Sequence, residues 1–171
     1  ARTRAAVQDH AGAAELDARA AEIRSDALGD DHPLVADALT EQLKHLASTE
    51  ADADTLRPIG TRLIAIRDAA FGTDDPRTIE ARFNVASLLF IKGSPDEAIP
   101  IYITGIDAAR RADRRDDTYV QALNSLVIAL ITRNRHDTAA PYFEELVELV
   151  VERNYGGDQA VAIAVFNYGT W

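Results

Sequence analysis

The stretch LGDDHP, residues 28–33, returns as FGTDDP, residues 71–76: an apolar residue, Gly, a polar run, then Pro, spaced by 43 positions. Three readings compete: paired catalytic loops, a metal site with His32 as ligand, or punctuation between helices. The flanks favour punctuation. Pro33, Pro76 and a third proline, Pro95, each open a run with apolar residues at three- and four-residue spacing. Proline is tolerated early in a helix because the N–H it lacks has no partner there. Asp31, Asp75 and Ser94 stand before these prolines as capping acceptors. Gly29, Gly72 and Gly93 fall where a preceding helix needs a left-handed ending.

The same spacing extends along the chain, with no lasting alternation of the kind strands show. Helices are expected at 11–28, 33–48, 53–71, 76–92, 95–112, 118–133, 137–153 and 158–171. In a chain of 171 residues with 31 Ala, closely packed helices are better served than a bulky core. Leu and Ile must then occupy regular contact positions.

A net charge of −10 repels phosphate and anionic membrane, which argues against nucleic acid and lipid surfaces as partners. Absence of Cys removes disulfides, thiolate zinc sites and Cys nucleophiles together. No apolar run reaches the length of a membrane span, and no charged-then-apolar leader opens the chain, so the expected compartment is the cytoplasm. The sequence also holds no Met, and it reads as a piece of a longer array.

The helices repeat. DEAIPIYITGI from Asp96 lies on DTAAPYFEELV from Asp137 at an offset of 41, with Asp96, Ala98, Pro100 and Tyr102 falling on Asp137, Ala139, Pro141 and Phe143. In that register Ala81, Leu89 and Gly93 fall on Ala122, Leu130 and Asn134. Leu56, Pro58, Ile59 and Leu63 precede them, and Ala13, Leu16, Ala20 and Ile23 complete the series. A period of about 42 residues signals a two-helix unit that cannot bury its apolar face alone and must stack on its neighbours. Repeat units are expected at 1–32, 33–75, 76–116 and 117–157, with a further one starting at 158–171. Asn167, Tyr168 and Gly169 there match Asn84, Val85 and Ala86, while 1–7 looks like the tail of an earlier first helix. Asp17 and Gly60 stand where Tyr102 and Phe143 supply an aromatic ring, so the early repeats should pack more thinly.

With Ala13, Leu16, Ala20, Ile23, Leu28, Gly29, His32 and Pro33 in place, the segment 13–39 resembles the tetratricopeptide repeat. The likeness is to the long-period form found in kinesin light chains, whose helix pairs end in a motif like Leu-Gly-x-Asp-His-Pro. It covers essentially the whole chain, although the second copy loses the His and later copies replace the Gly-Pro joint by RADRRDD and RNYGGD. The resemblance implies an all-α, right-handed superhelix, a solenoid of about four helix pairs. It also implies that the first helix of each pair lines a concave wall, with Asp37, Thr40, Glu41 and Lys44 on the first. Glu80, Phe83, Asn84, Ser87 and Phe90 would line the second, and Gln121, Asn124, Ser125, Ile128 and Ile131 the third.

Phe83, Phe90, Ile128 and Ile131 sit in that register where core packing does not require them, and bulky apolar groups on a groove wall call for a partner that buries them. Asn84, Asn124 and Asn167 are placed to hold an extended peptide backbone, since a carboxamide both donates and accepts; the competing role for each is a bond to the adjacent helix. Asp37, Glu80 and Gln121 stand where relatives that clamp a terminal carboxylate need cations, which disfavours that use.

No chemistry of another kind stands out. One His between carboxylates in a turn converges poorly on an ion, so His32 is expected to serve the helix joint, and no metal or cofactor is expected. His10, His45 and His136 are isolated, with solvated or capping roles. Ser25, Ser87, Ser94 and Ser125 lack a nucleophile's context, no phosphate-binding glycine loop occurs, and catalysis is not expected. The run RRADRRDD, residues 110–117, reads as a self-neutralised loop or a site for phosphate or an acidic partner. The function expected is a protein- or peptide-binding scaffold. Its alternative is the sensory or regulatory repeat region of a larger signalling enzyme, such as a bacterial kinase or signal-transducing NTPase, with the partner then on the same chain. Self-association through the ends is a third outcome.

Overall fold

A computed structural model of the chain describes residues 9–152. The helix expected at 158–171, with Asn167, and the tail expected at 1–7 lie outside them. The described residues form α1 (His10–Leu28), α2 (Pro33–Ala47), α3 (Ala53–Phe71), α4 (Pro76–Ile91), α5 (Pro95–Arg111), α6 (Asp117–Thr132) and α7 (His136–Glu152). Each bound lies within a residue of the one read from spacing, because the punctuation works as expected. Gly29, Gly72 and Gly93 carry φ of 96°, 88° and 84°. Two later joints reach positive φ without Gly, at Asp113 (51°) and Asn134 (55°), residue types that tolerate this region better than most.

The caps need one correction. Asp75 does accept the Arg77 N–H at 2.9 Å, but at the start of α2 the acceptor is His32 Nδ1, which takes the Leu34 N–H at 3.2 Å, and not Asp31. Ser94 occupies the cap position of α5 without a side-chain bond. His32 thus serves the joint. Replacing it with Ala should lower stability by about 0.5 kcal/mol, at the low end for a lost cap, whereas Asp31→Ala should leave it unchanged; urea unfolding of the two variants separates the assignments.

The chain divides into two compact units, one ending at Thr73 and one beginning at Asp74. In the first, α1 packs against α2 and α2 against α3. Its core is built from Val35, Ala36, Leu39 and Leu43 of α2 with Leu56, Leu63 and Ile66 of α3. Gly60 is buried where an aromatic stands in later copies, and two open clefts of about 310 and 270 Å³ lie among these helices. Asp17, which brings no ring to this position, lines the larger cleft and pairs with His45 Nδ1 at 2.8 Å.

In the second unit α5 packs against both α4 and α6, α6 against α7, and α4 touches α6. Tyr102, Ile106, Ala108, Tyr119, Leu126 and Leu130 are fully enclosed. Small residues set the spacing: a Cβ added at Gly105 would lie 2.8 Å from the Phe83 ring, so the absence of a side chain there is what lets α5 approach α4. Prolines at 58, 100 and 141 recur inside α3, α5 and α7, each on an exposed position, where the lost N–H costs least.

Candidate functional site

Because α4 and α6 are neighbours in the second unit, most of the expected wall residues come onto adjacent helices. Glu80 and Asn84 of α4 and Gln121 of α6 are exposed; Phe90, Ile128 and Ile131 are half-buried. Lys44 is exposed on α2 of the first unit, 2.6 Å from Glu41.

Phe83 requires correction. Only 7% exposed, it is a core residue seated on Gly105, and no anchor for a partner. Ser87 is likewise structural, because its hydroxyl shares a hydrogen bond of 2.8 Å with Tyr102. Burial pushes the Tyr102 hydroxyl above the usual phenol range, and the Ser87 and Ser125 hydroxyls partly offset this. Asn124 behaves differently. It is half-buried, and its Oδ1 is enclosed with no hydrogen-bond partner, although a buried acceptor normally has one.

The arginine-rich joint at 110–117 is neutralised mostly by carboxylates outside it, with one pair inside. Arg111 pairs with Asp74 at 2.7 Å and Arg114 with Asp116 at 2.5 Å, while Arg114 Nη1 also donates to the Pro76 carbonyl at 3.1 Å. Arg110 turns inward. It bonds to Glu145, donates through Nε to the Tyr119 hydroxyl at 3.1 Å and lies over the Tyr142 ring at 5.4 Å, while Tyr119 donates to Glu145 at 2.5 Å. Burial alone would raise the Glu145 carboxyl, but the bonds from Arg110 and Tyr119 outweigh it and hold the group below the ordinary carboxylate range. This cluster ties α5, α6 and α7 together, and sequence spacing could not show it, since its members are 35 and 26 positions apart.

His10 and His45 are not isolated in space, with ring centroids 5.9 Å apart. Among the described residues, however, no group of three or more His, Asp or Glu side chains could hold a metal ion, and no helix is long and apolar enough to cross a membrane.

Two solved structures share this arrangement. Both are of the nearly identical TPR-like repeats of a Podosopora anserina protein assigned as a kinesin light chain, one of them a point variant. The TM-scores are 0.78 for the variant and 0.76 for the other, each at 14% identity over 94% of this chain, covering 79% and 80% of theirs. A family model of the tetratricopeptide repeat matches residues 3–34. The first repeat is thus similar to a tetratricopeptide repeat, and the chain shares the fold of the TPR-like repeats in the two solved structures. No curated protein matches the chain. The likeness to these structures is one of fold, all-α and superhelical.

Proposed function

We propose that the chain is a non-catalytic scaffold whose α4 and α6 wall holds an extended protein segment, with repeat boundaries at 32/33, 75/76, 116/117 and 157/158. The Asn124 carboxamide carries this reading. An enclosed acceptor without a partner costs about 1–3 kcal/mol, and turning the side chain would bring that oxygen to a bound backbone N–H. Asn84 and Gln121 add carboxamides that can give and accept along the same backbone, Glu80 adds a carboxylate, and Phe90, Ile128 and Ile131 add apolar surface.

Stability and binding should then move in opposite directions. Asn124→Ala removes an unmet acceptor, so stability should rise by up to about 1 kcal/mol, read by urea unfolding. Together with Gln121→Ala it should weaken capture of peptides selected on the wild-type protein by roughly tenfold, the equivalent of about 1.4 kcal/mol. Selected peptides that bind the double variant as tightly as the wild type would remove the wall assignment.

A further inference from the structure

We propose that the smaller cleft of the first unit, between α1 and α3, takes the ring of a tyrosyl side chain from a partner protein. The cleft measures about 270 Å³, and Ala18 and Ala21 of α1, Leu39 of α2, and Pro58 and Ile59 of α3 give it an apolar lining. Glu22, Gln42 and Arg62 add polar groups. A cavity of about 150 Å³ already accepts benzene, so one substituted ring fits. Every lining residue is a described one, and all three helices belong to the same unit.

The second unit shows what such a place holds. Two repeats later α5, α6 and α7 take the parts of α1, α2 and α3. In that register Glu22 falls on Asp107, Ser25 on Arg110, Ile59 on Tyr142 and Arg62 on Glu145. There the Tyr142 ring lies against α5, its centroid 5.4 Å from the Arg110 guanidinium. Burial and then the nearby Asp107 carboxylate push its hydroxyl above the ordinary phenol range. The seam between α5 and α7 is thus filled from within by an aromatic ring. At the seam between α1 and α3 the same position is Ile59, whose side chain is shorter, and the space stays open.

The polar groups match as well, with the charges exchanged between helices. In the second unit the cation comes from α5 and the carboxylate, Glu145, from α7. In the first, Arg62 of α3 supplies the guanidinium, donating to Ser25 Oγ at 2.8 Å and pairing with Asp30 at 3.2 Å. It lines the cleft with 41% of its side chain exposed, so it can lie over an incoming ring as Arg110 lies over Tyr142. Glu22, exposed on α1, offers an acceptor for a phenolic hydroxyl, which favours tyrosine over phenylalanine. An aliphatic side chain meets the lining but neither of these groups. The site shares no residue with the α4 and α6 wall, so either reading can fail without the other.

Titration of the full chain with N-acetyl-tyrosinamide, followed by amide and methyl chemical shifts, tests this, with N-acetyl-leucinamide as a control of equal backbone. The tyrosine probe should move the signals of Ala18, Ala21 and Leu39 saturably in the millimolar range, and the leucine probe should bind roughly fivefold more weakly. Ile59→Tyr supplies the ring from within, so it should raise the unfolding temperature and abolish the shifts. Arg62→Gln, at a partly exposed position, should keep the fold and weaken the tyrosine probe about two- to fivefold while leaving the leucine probe unchanged. The proposal is overturned by a tyrosine probe that never saturates these signals, by equal binding of the two probes, or by binding that survives in a folded Ile59→Tyr protein. Should Ile59→Tyr fail to fold, Arg62→Gln decides, and an unchanged affinity for the tyrosine probe overturns the assignment.

Discussion

Phe83→Ala is expected to lower folding stability by about 3–5 kcal/mol, the range for removing a buried aromatic ring. Phe83 is nearly inaccessible and fills the slot left by Gly105, so truncation empties a cavity between α4 and α5 that their backbones, already close, cannot easily close. The matching change from the other side is Gly105→Ala, whose new Cβ would meet the ring at 2.8 Å and force it aside, an overpacking cost of about 1–3 kcal/mol. The two together should be less than additive, because the smaller residue at 83 makes room for the larger one at 105. Thermal or urea unfolding of the four proteins measures this cycle. A Phe83→Ala protein of wild-type stability would return the ring to the wall. The expectation also changes how binding is probed: loss of partner binding in Phe83→Ala would report loss of packing, which is why the wall is tested through Asn124 and Gln121.

Arg110→Met should cost about 2–3 kcal/mol at neutral pH, somewhat less than a fully buried pair because Arg110 keeps a third of its side chain in water. The loss comes from what is left behind. Glu145 would keep its charge at 16% exposure with the Tyr119 hydroxyl as its remaining hydrogen-bond donor and the Arg115 charge as a weaker offset. Tyr119 is itself held well above its ordinary value, by burial first and then by its bond to Glu145, so it stays a neutral donor and cannot compensate. The pH dependence has a definite sign. A carboxyl lowered on folding contributes stability above its unfolded value and loses it as pH falls through the lower, folded value. The gap between wild type and Arg110→Met should therefore be widest near neutrality and narrow in acid as Glu145 takes up a proton. Denaturant unfolding across that range checks it, and a gap that stays constant into strong acid would mean that packing of the Arg110 stem, not its charge, is what matters.

The helices and their joints were legible because their signals are local. Pro33, Pro76 and Pro95 begin helices, Gly29, Gly72 and Gly93 end them, and the recurrence of Pro58, Pro100 and Pro141 fixes the register of the second helices. The wall was only partly legible. Register alone put Phe83 among the lining residues, but whether a side chain at that angle turns out or in depends on what faces it, and the facing residue is a glycine 22 positions later. His32 and Asp31 show the same limit at short range: both can accept from α2, and only the backbone path through the turn decides between them. Arg110, Tyr119 and Glu145 come from three helices, so their meeting is a product of stacking that no single amphipathic pattern encodes.

Within each unit, helices touch those next to them in sequence or, as α4 and α6 do, the next but one. Such a chain closes only short loops as it folds, so its topology favours rapid folding from any point along it. It also makes the pair of helices a unit of evolutionary length change, since one more or one fewer copy leaves every other local neighbourhood as it was.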